Sequence, residues 1–296
     1  MSLVINHNLM AQNSARNLGE SYTNLAVSTR RLSSGLRVGT AADDAAGLAV
    51  RELMRADISS LNQGVRNAND AISMIQTADG ALGVIDEKLI RMKELATQAS
   101  TGTYTSDQRL IIDSEYQAMA SEITRIAKAT DFNGIYLLNG NLSGATHNGA
   151  GLTSTGKMKV HFGAGNLSAE DYYYIQINNA TASALGVGLG AVSGASGRSI
   201  STQQLAQQAL EALNDAIVSK DKIRANLGAL QNRLQNTVQN LQIQAENLQA
   251  AESQISDVDV AEEMTSFVRS QILTQSAVAM LSQANSLPRM AMQLLG

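Results

Sequence analysis

Cysteine is absent from all 296 residues. That absence removes disulfide staples, thiolate nucleophiles and Cys-based metal sites together, and it permits an extracellular life without requiring one. Trp is absent too, Phe occurs three times, and aromatics make up 3% of the chain. The 44% of hydrophobic residues is therefore mostly Ala, Leu, Ile and Val, which suits narrow helix–helix seams better than a thick globular core. A single proline, Pro288, leaves long stretches free of helix breakers. The net charge of −4, with both signs interspersed, offers no electrostatic footprint for nucleic acid. No window approaches the roughly 18 apolar residues of a membrane span, so no membrane insertion is expected. The opening MSLVINHNLMAQNSA has neither a basic lead nor a continuous apolar stretch, so no cleavable secretory signal is expected.

What is present is apolar periodicity at both ends. Ala11, Ala15, Leu18, Tyr22, Leu25, Thr29, Leu32 and Leu36 follow one another in alternating steps of 4 and 3, the spacing of a coiled coil. Gly35 and Gly39 interrupt this helix, and the small, acidic stretch Ala41 to Gly47 reads as a hinge. A second seam runs through Leu61, Val65, Ala68, Ile72 and Ile75. It resumes, after a register shift near Asp79, with Ile85, Leu89, Met92, Ala96 and Ala99. Ser100 to Ser106 reads as a turn, Ser106 as the N-cap of a third helix reaching about Thr130, and Phe132-Asn133-Gly134 as a tight turn.

Between Gly140 and Gly197 the chemistry changes: over half of the 23 glycines lie there, with few charges. The runs Met158 to Phe162 and Tyr172 to Ile177 predict a small β-hairpin. After Arg198 the helical period returns through Leu213, Ile217, Ile223, Leu227, Leu230, Leu234, Thr237, Leu241, Ala245, Leu248 and Ile255. So long a helix must be covered by the N-terminal helices beside it. The fold class expected is mainly α, a long antiparallel helical coiled-coil bundle from both termini with a small central β-hairpin subdomain. Both chain ends then belong to one end of the molecule and the insert to the other.

No catalytic constellation emerges, and no cofactor is expected. His7, His147 and His161 stand in no metal-binding spacing. Gly186 to Gly190 alternates like a phosphate loop but lacks the following Lys-Ser/Thr. Asp257 and Asp259 are two carboxylates without a Gly-turn loop, a weak metal signal beside the reading of a solvated kink. Asp43-Asp44 reads as hinge or cap. The chain looks like an assembly subunit, not an enzyme.

The segments RLSSGLRVGTAADDAAGLAV (Arg31 to Val50), DFNGIYLLNG (Asp131 to Gly140) and AESQISDVDVAEEMTSFVRSQILTQSAVAMLSQAN (Ala251 to Asn285), with the ending SLPRMAMQLLG, closely resemble bacterial flagellins. The resemblance covers roughly residues 1 to 140 and 199 to 296. It implies a terminal coiled-coil tube domain (1–44 with 256–296), a helical outer domain (45–140 with 199–255) and a short variable β-rich insert (141–198). It implies a structural subunit of the extracellular flagellar filament, exported without a cleaved signal peptide through the flagellar type III apparatus. The implied partners are further copies of the chain, an export chaperone, the filament cap and hook–filament junction proteins, and host Toll-like receptor 5. For a polymerisation seam it points to Leu18, Leu25, Leu32, Leu36, Ile272, Leu273 and Met280. For the chaperone it points to Phe267, Ile272, Leu294 and Leu295, and for the receptor to Arg91, Leu95 and Glu115. Leu95 is expected as an exposed apolar centre between the two charges. A hook–filament junction protein has similar terminal helices but usually keeps only part of the Arg31 motif. A cytoplasmic coiled-coil scaffold fits the heptads but not the insert.

Overall fold

The computed structural model describes residues 8–149, 155–168, 170–187 and 198–294, the side chains of 287–289 and 291–294 excepted. The described residues form helices α1 (Leu9–Ser34), α2 (Ala45–Ala99), α3 (Ser106–Ala129), α4 (Gln203–Ser256) and α5 (Val260–Leu294). Four short strands accompany them: β1 (Asp131–Phe132), β2 (Ile135–Tyr136), β3 (Met158–His161) and β4 (Tyr172–Ile175). Packing divides the chain into two units, Met1–Ile58 with Glu246–Gly296, and Ser59–Ala245.

In the first unit α1 lies antiparallel to α5. Asn8 caps α1 by accepting the Ala11 N–H at 3.0 Å, and its amide donates to the Ala284 carbonyl at 2.8 Å. At the other end Arg31 meets Glu263 at 3.5 Å. Gly35 closes α1 at φ 73°, a left-handed conformation that only glycine adopts without strain. The residues of α1 turned inward are Ala11, Ser14, Leu18, Ser21, Leu25, Ser28 and Leu32. Ala15, Tyr22 and Thr29, expected in the seam, are exposed instead. Facing them on α5 are Glu263, Phe267, Ser270, Thr274, Ala277, Leu281 and Ala284. Serines replace bulkier neighbours because a narrow approach between two helices selects small side chains.

The second unit is three helices with the hairpin against them. A continuous seam of buried positions on α2 runs through Leu61, Gly64, Ala68, Ala71, Ile75, Ala78, Leu82, Ile85, Leu89, Met92, Ala96 and Ala99, with Met74 and Leu95 buried beside it. This is an unbroken alternation of 3 and 4, so the register shift expected near Asp79 does not exist. Gly64 and Ala71 hold seam positions, while the larger Val65 and Ile72 stand half-buried beside them. On α4 the seam takes Ala216 and Lys220, not Ile217. Helix α3 folds back to supply Tyr116, Ala120, Ile123 and Ala127 to the core. Its N-cap is Thr105, one residue before the expected Ser106, in a reciprocal capping box with Gln108.

The turn at Asn133 and Gly134 forms as expected. Both residues have positive φ, 51° and 79°, and join β1 to β2 as a tight antiparallel turn. The predicted hairpin is β3 against β4, with Val160 opposite Tyr173 and His161 opposite Tyr172. Its inner face carries Val160 and Ile175, and its Tyr173 ring takes the Arg233 guanidinium at 3.6 Å. Asn67 of α2 donates to the His161 carbonyl at 2.8 Å, and the Phe162 main chain lies directly over Gly64. The hairpin therefore sits beside the flank of α2 and not at the tip of the second unit. That tip is the Ser100–Thr105 turn, about 50 Å further along the helix at about 1.5 Å per residue.

Candidate assembly and recognition surfaces

An α-helix at a protein surface keeps its apolar residues on one stripe. Helix α5 does not. Its side toward α1 is lined by Ser270, Thr274, Ala277 and Ala284, with Phe267 and Leu281 at intervals. Its remaining faces carry Val260, Met264, Val268, Ile272, Leu273, Val278 and Met280, all exposed. Ile272, Leu273 and Met280 leave 56%, 51% and 60% of their surface in solvent, so the described residues leave them largely uncovered. Exposed apolar surface on this scale marks an interaction face.

The residues expected to form one polymerisation seam thus separate into distinct places. Leu18, Leu25 and Leu32 are half-buried against α5. Leu36 lies beyond α1, in an isolated antiparallel bridge with Asp257. Ile272, Leu273 and Met280 face away from α1. Phe267 is half-buried in the α1 seam, whereas Ile272 is free. The side chain of Leu294, and the whole of Leu295, lie outside the described residues, as do His7 and most of the Gly186 to Gly190 run.

The bridge joins two helix breaks. Arg37 N–H donates to the Ser256 carbonyl at 2.7 Å and Val258 N–H to the Gly35 carbonyl at 3.0 Å. The acidic pairs of the sequence are spent on this local structure. Asp259 caps α5, accepting the Ala261 N–H at 2.9 Å, and Asp257 accepts the Ser253 hydroxyl at 2.7 Å. Asp44 accepts the Gly47 N–H at 2.9 Å at the start of α2. Asp43 ties the Thr40 amide and hydroxyl, which with Arg30 hold its carboxyl below the ordinary carboxylate range. Buried Arg51 donates to the Val38 carbonyl at 2.7 Å and pins the linker to α2. Among the described residues no group of three or more His, Cys, Asp or Glu could hold a metal.

In the second unit Arg91 reaches across from α2 to α3. Its guanidinium donates to Glu115 at 2.8 and 3.0 Å and to Glu94 at 2.9 Å. Glu115 first, then Glu94, raise its affinity for the proton above the usual arginine range. Sequence periodicity did not flag Glu94, three residues from Arg91 on the same helix face. Leu95 departs from expectation. It is 1% exposed, packed in the helical core, because it borders the buried Met92, Ala96 and Ala99 positions of the α2 seam. It offers no apolar centre to a ligand. Exposed apolar side chains near this ion-pair cluster in sequence include Ile90 on α2 and Leu110 and Ile111 on α3.

The chain matches two family descriptions, "Bacterial flagellin N-terminal helical region" over residues 5–143 and "Bacterial flagellin C-terminal helical region" over residues 210–295. It is 41% identical over 295 residues to flagellin FlaB2 of Treponema pallidum (strain Nichols), spanning 99% of this chain and 100% of that one. The chain belongs to the flagellin family. It is also similar to a flagellin of Halalkalibacterium halodurans, at 40% identity over 293 residues, 99% of this chain and 100% of the other. Among solved structures it is similar to the crystal structure of Bacillus cereus flagellin, with 29% identity, 63% of this chain and 94% of that chain covered, and a TM-score of 0.46. As a flagellin it is a structural subunit that polymerises into the flagellar filament. Flagellins are structural proteins, and among the described residues α5 carries a long run of exposed apolar side chains.

Proposed function

We propose that this flagellin works outside the cell, exported as an unfolded chain through the flagellar type III apparatus without a cleaved signal, and that its terminal helix pair drives assembly by coupled folding and association. The observation that supports this is α5, which leaves Ile272, Leu273 and Met280 exposed while α1 covers the side of Ser270, Thr274, Ala277 and Ala284 with Phe267 and Leu281. Ordering such a helix alone costs backbone entropy that its seam of Ser, Thr and Ala recovers poorly, whereas neighbouring copies bury Ile272, Leu273 and Met280. Copies added by a repeated, non-closing contact grow without limit. Residues 1–44 with 256–296 then act as the tube domain, 45–140 with 199–255 as the outer domain and 141–198 as the variable insert, with no enzymatic role. The test replaces Ile272 and Met280 by Ser in the full chain. The doubly substituted monomer should keep its far-ultraviolet helicity and form no filaments by sedimentation and negative stain. Normal filaments from it would overturn the proposal.

The C-terminal segment with Phe267, Ile272, Leu294 and Leu295 is the proposed docking site of an export chaperone before secretion. The filament cap and hook–filament junction proteins are its proposed assembly partners. Host Toll-like receptor 5 is proposed to read Arg91 and Glu115, with Leu95 acting from beneath by fixing the helix that carries Arg91.

A further inference from the structure

Sulfur in this chain is confined to methionine, which occurs 11 times beside no cysteine. With no thiolate to draw an oxidant away, the thioethers are the side chains most open to one. The fold sorts them sharply by exposure.

In the second unit Met74 and Met92 are buried on α2, and Met119 and Met158 are half-buried. In the first unit Met54 is half-buried, whereas Met10, Met264, Met280 and Met290 are exposed. Met1 and the side chain of Met292 lie outside the described residues. Among the described residues, every exposed methionine therefore belongs to α1 or α5, the helix pair of the termini.

Two of these four stand among the exposed apolar residues of α5. Met280 follows Leu273 by two helix turns and shares its stripe, while Met264 precedes Val268, and Val268 precedes Ile272, by one turn each. Met280 leaves 60% of its surface in solvent and Met264 44%. An unbranched thioether adapts to an irregular apolar partner. A sulfoxide at the same place is polar and chiral, and burying it costs free energy unless a donor meets its oxygen. The side chains of Leu273, Val268 and Ile272 offer no donor.

We propose that Met264 and Met280 are an oxidative modification site that switches the chain between assembling and non-assembling forms, an inference that rests on the assembly role given to α5 above. The oxidant is hydrogen peroxide. A lone pair of the thioether sulfur attacks one peroxide oxygen, the O–O bond breaks and an S–O bond forms. The other oxygen leaves as hydroxide, which becomes water with the proton released from the transferred oxygen. Sulfur loses two electrons and peroxide gains them. The unassembled chain leaves both thioethers open to this attack, and a neighbouring copy in the filament covers them. Thiol-dependent methionine sulfoxide reductases reverse the step, so the switch works in both directions.

The test treats purified full-length monomer with hydrogen peroxide, maps sulfoxides by mass spectrometry and measures the critical concentration for filament formation by sedimentation. Met264 and Met280 should oxidise at least about tenfold faster than Met74 and Met92, and at least about fivefold faster in monomer than in preformed filaments. Peroxide should raise the critical concentration of the parent at least about tenfold, but that of the Met264→Leu, Met280→Leu protein less than about twofold from its own untreated value. The Met10→Leu, Met290→Leu protein should show the full shift of the parent. Sulfoxide reductases with dithiothreitol, which finds no disulfide in this chain to disturb, should return the oxidised parent to its starting value. Normal assembly of parent carrying both sulfoxides would overturn the proposal. So would a full peroxide shift in the Met264→Leu, Met280→Leu protein, equal oxidation in monomer and filament, or a loss that the reductases do not reverse. Failure of the assembly role itself shows separately, as filaments from the unoxidised Ile272→Ser, Met280→Ser protein.

Discussion

Lys220 of α4 occupies a seam position of the second unit, its side chain 3% exposed, and its ammonium lies 2.5 Å from the Asp86 carboxylate of α2. One helix turn along, Arg224 pairs with Asp79 at 2.7 Å. The two pairs run in antiparallel order along α2 and α4 and match the observed register between them. A buried ion pair is weak evidence of stability but a strong determinant of alignment.

The partners of that pair should respond unequally to removal. Asp86→Ala leaves a buried ammonium with only Asp221, at 2.7 Å, for compensation. It should lower unfolding free energy by about 2 kcal/mol, below the 3–5 typical of a wholly unpaired charge. Lys220→Met removes the buried charge and leaves Asp86 28% exposed, where water can solvate it; it should be within about 1 kcal/mol of the parent, or more stable. Urea denaturation of both variants checks the order, and a larger loss in Lys220→Met would reverse it.

Gly64 is where the hairpin meets α2. A Cβ there would collide with the Phe162 carbonyl, which belongs to backbone and cannot swing aside. Gly64→Ala should cost about 1–3 kcal/mol despite its better helix propensity. It should also loosen the Arg233 contact with Tyr173, visible as a shifted Tyr173 ring resonance. An unchanged melting temperature would contradict this packing.

Recognition by the receptor can be separated from folding. Leu95→Ala empties a core position and should cost about 2–5 kcal/mol. Arg91→Ala breaks exposed pairs of little worth to the fold, about 0.2–1 kcal/mol. A reporter assay run alongside thermal melts should find signalling lowered by Arg91→Ala with the melt nearly unmoved. For Leu95→Ala the two should fall together. A signalling loss in Leu95→Ala without any loss of stability would return that side chain to the surface contact.

The linker before α2 should loosen in acid. Asp43 is held below its ordinary value of 3.8 first by the Thr40 hydroxyl, then by the Thr40 amide and Arg30. A depressed carboxylate contributes its stability above the unfolded value and loses it as pH falls through the folded one. Hydrogen-exchange protection at the Thr40 amide should therefore hold from neutrality to about pH 4 and fall away below. In Asp43→Asn the steep acid limb should vanish.

How much of this was legible in the sequence depends on what each feature requires. The helices around Leu18, Leu89 and Leu227, the Asn133-Gly134 turn and the Met158 to Ile175 hairpin all rest on local rules: period, caps and positive φ. Residue order alone determined them, and with them the family. The seams rest on something else. A residue's place on a helix is periodic, but which of two adjacent periods faces a neighbour depends on how closely that neighbour approaches. Hence Gly64, Ala71, Ser28 and Lys220 line the interfaces where Val65, Ile72, Thr29 and Ile217 were expected. Leu95 went inside for the same reason, its solvent removed by packing that no spacing records. The separation of Ile272, Leu273 and Met280 from the α1 seam was likewise decided only by tertiary structure: helix α1 has one face to give, and Ser270 and Thr274, small enough to let it approach, took it.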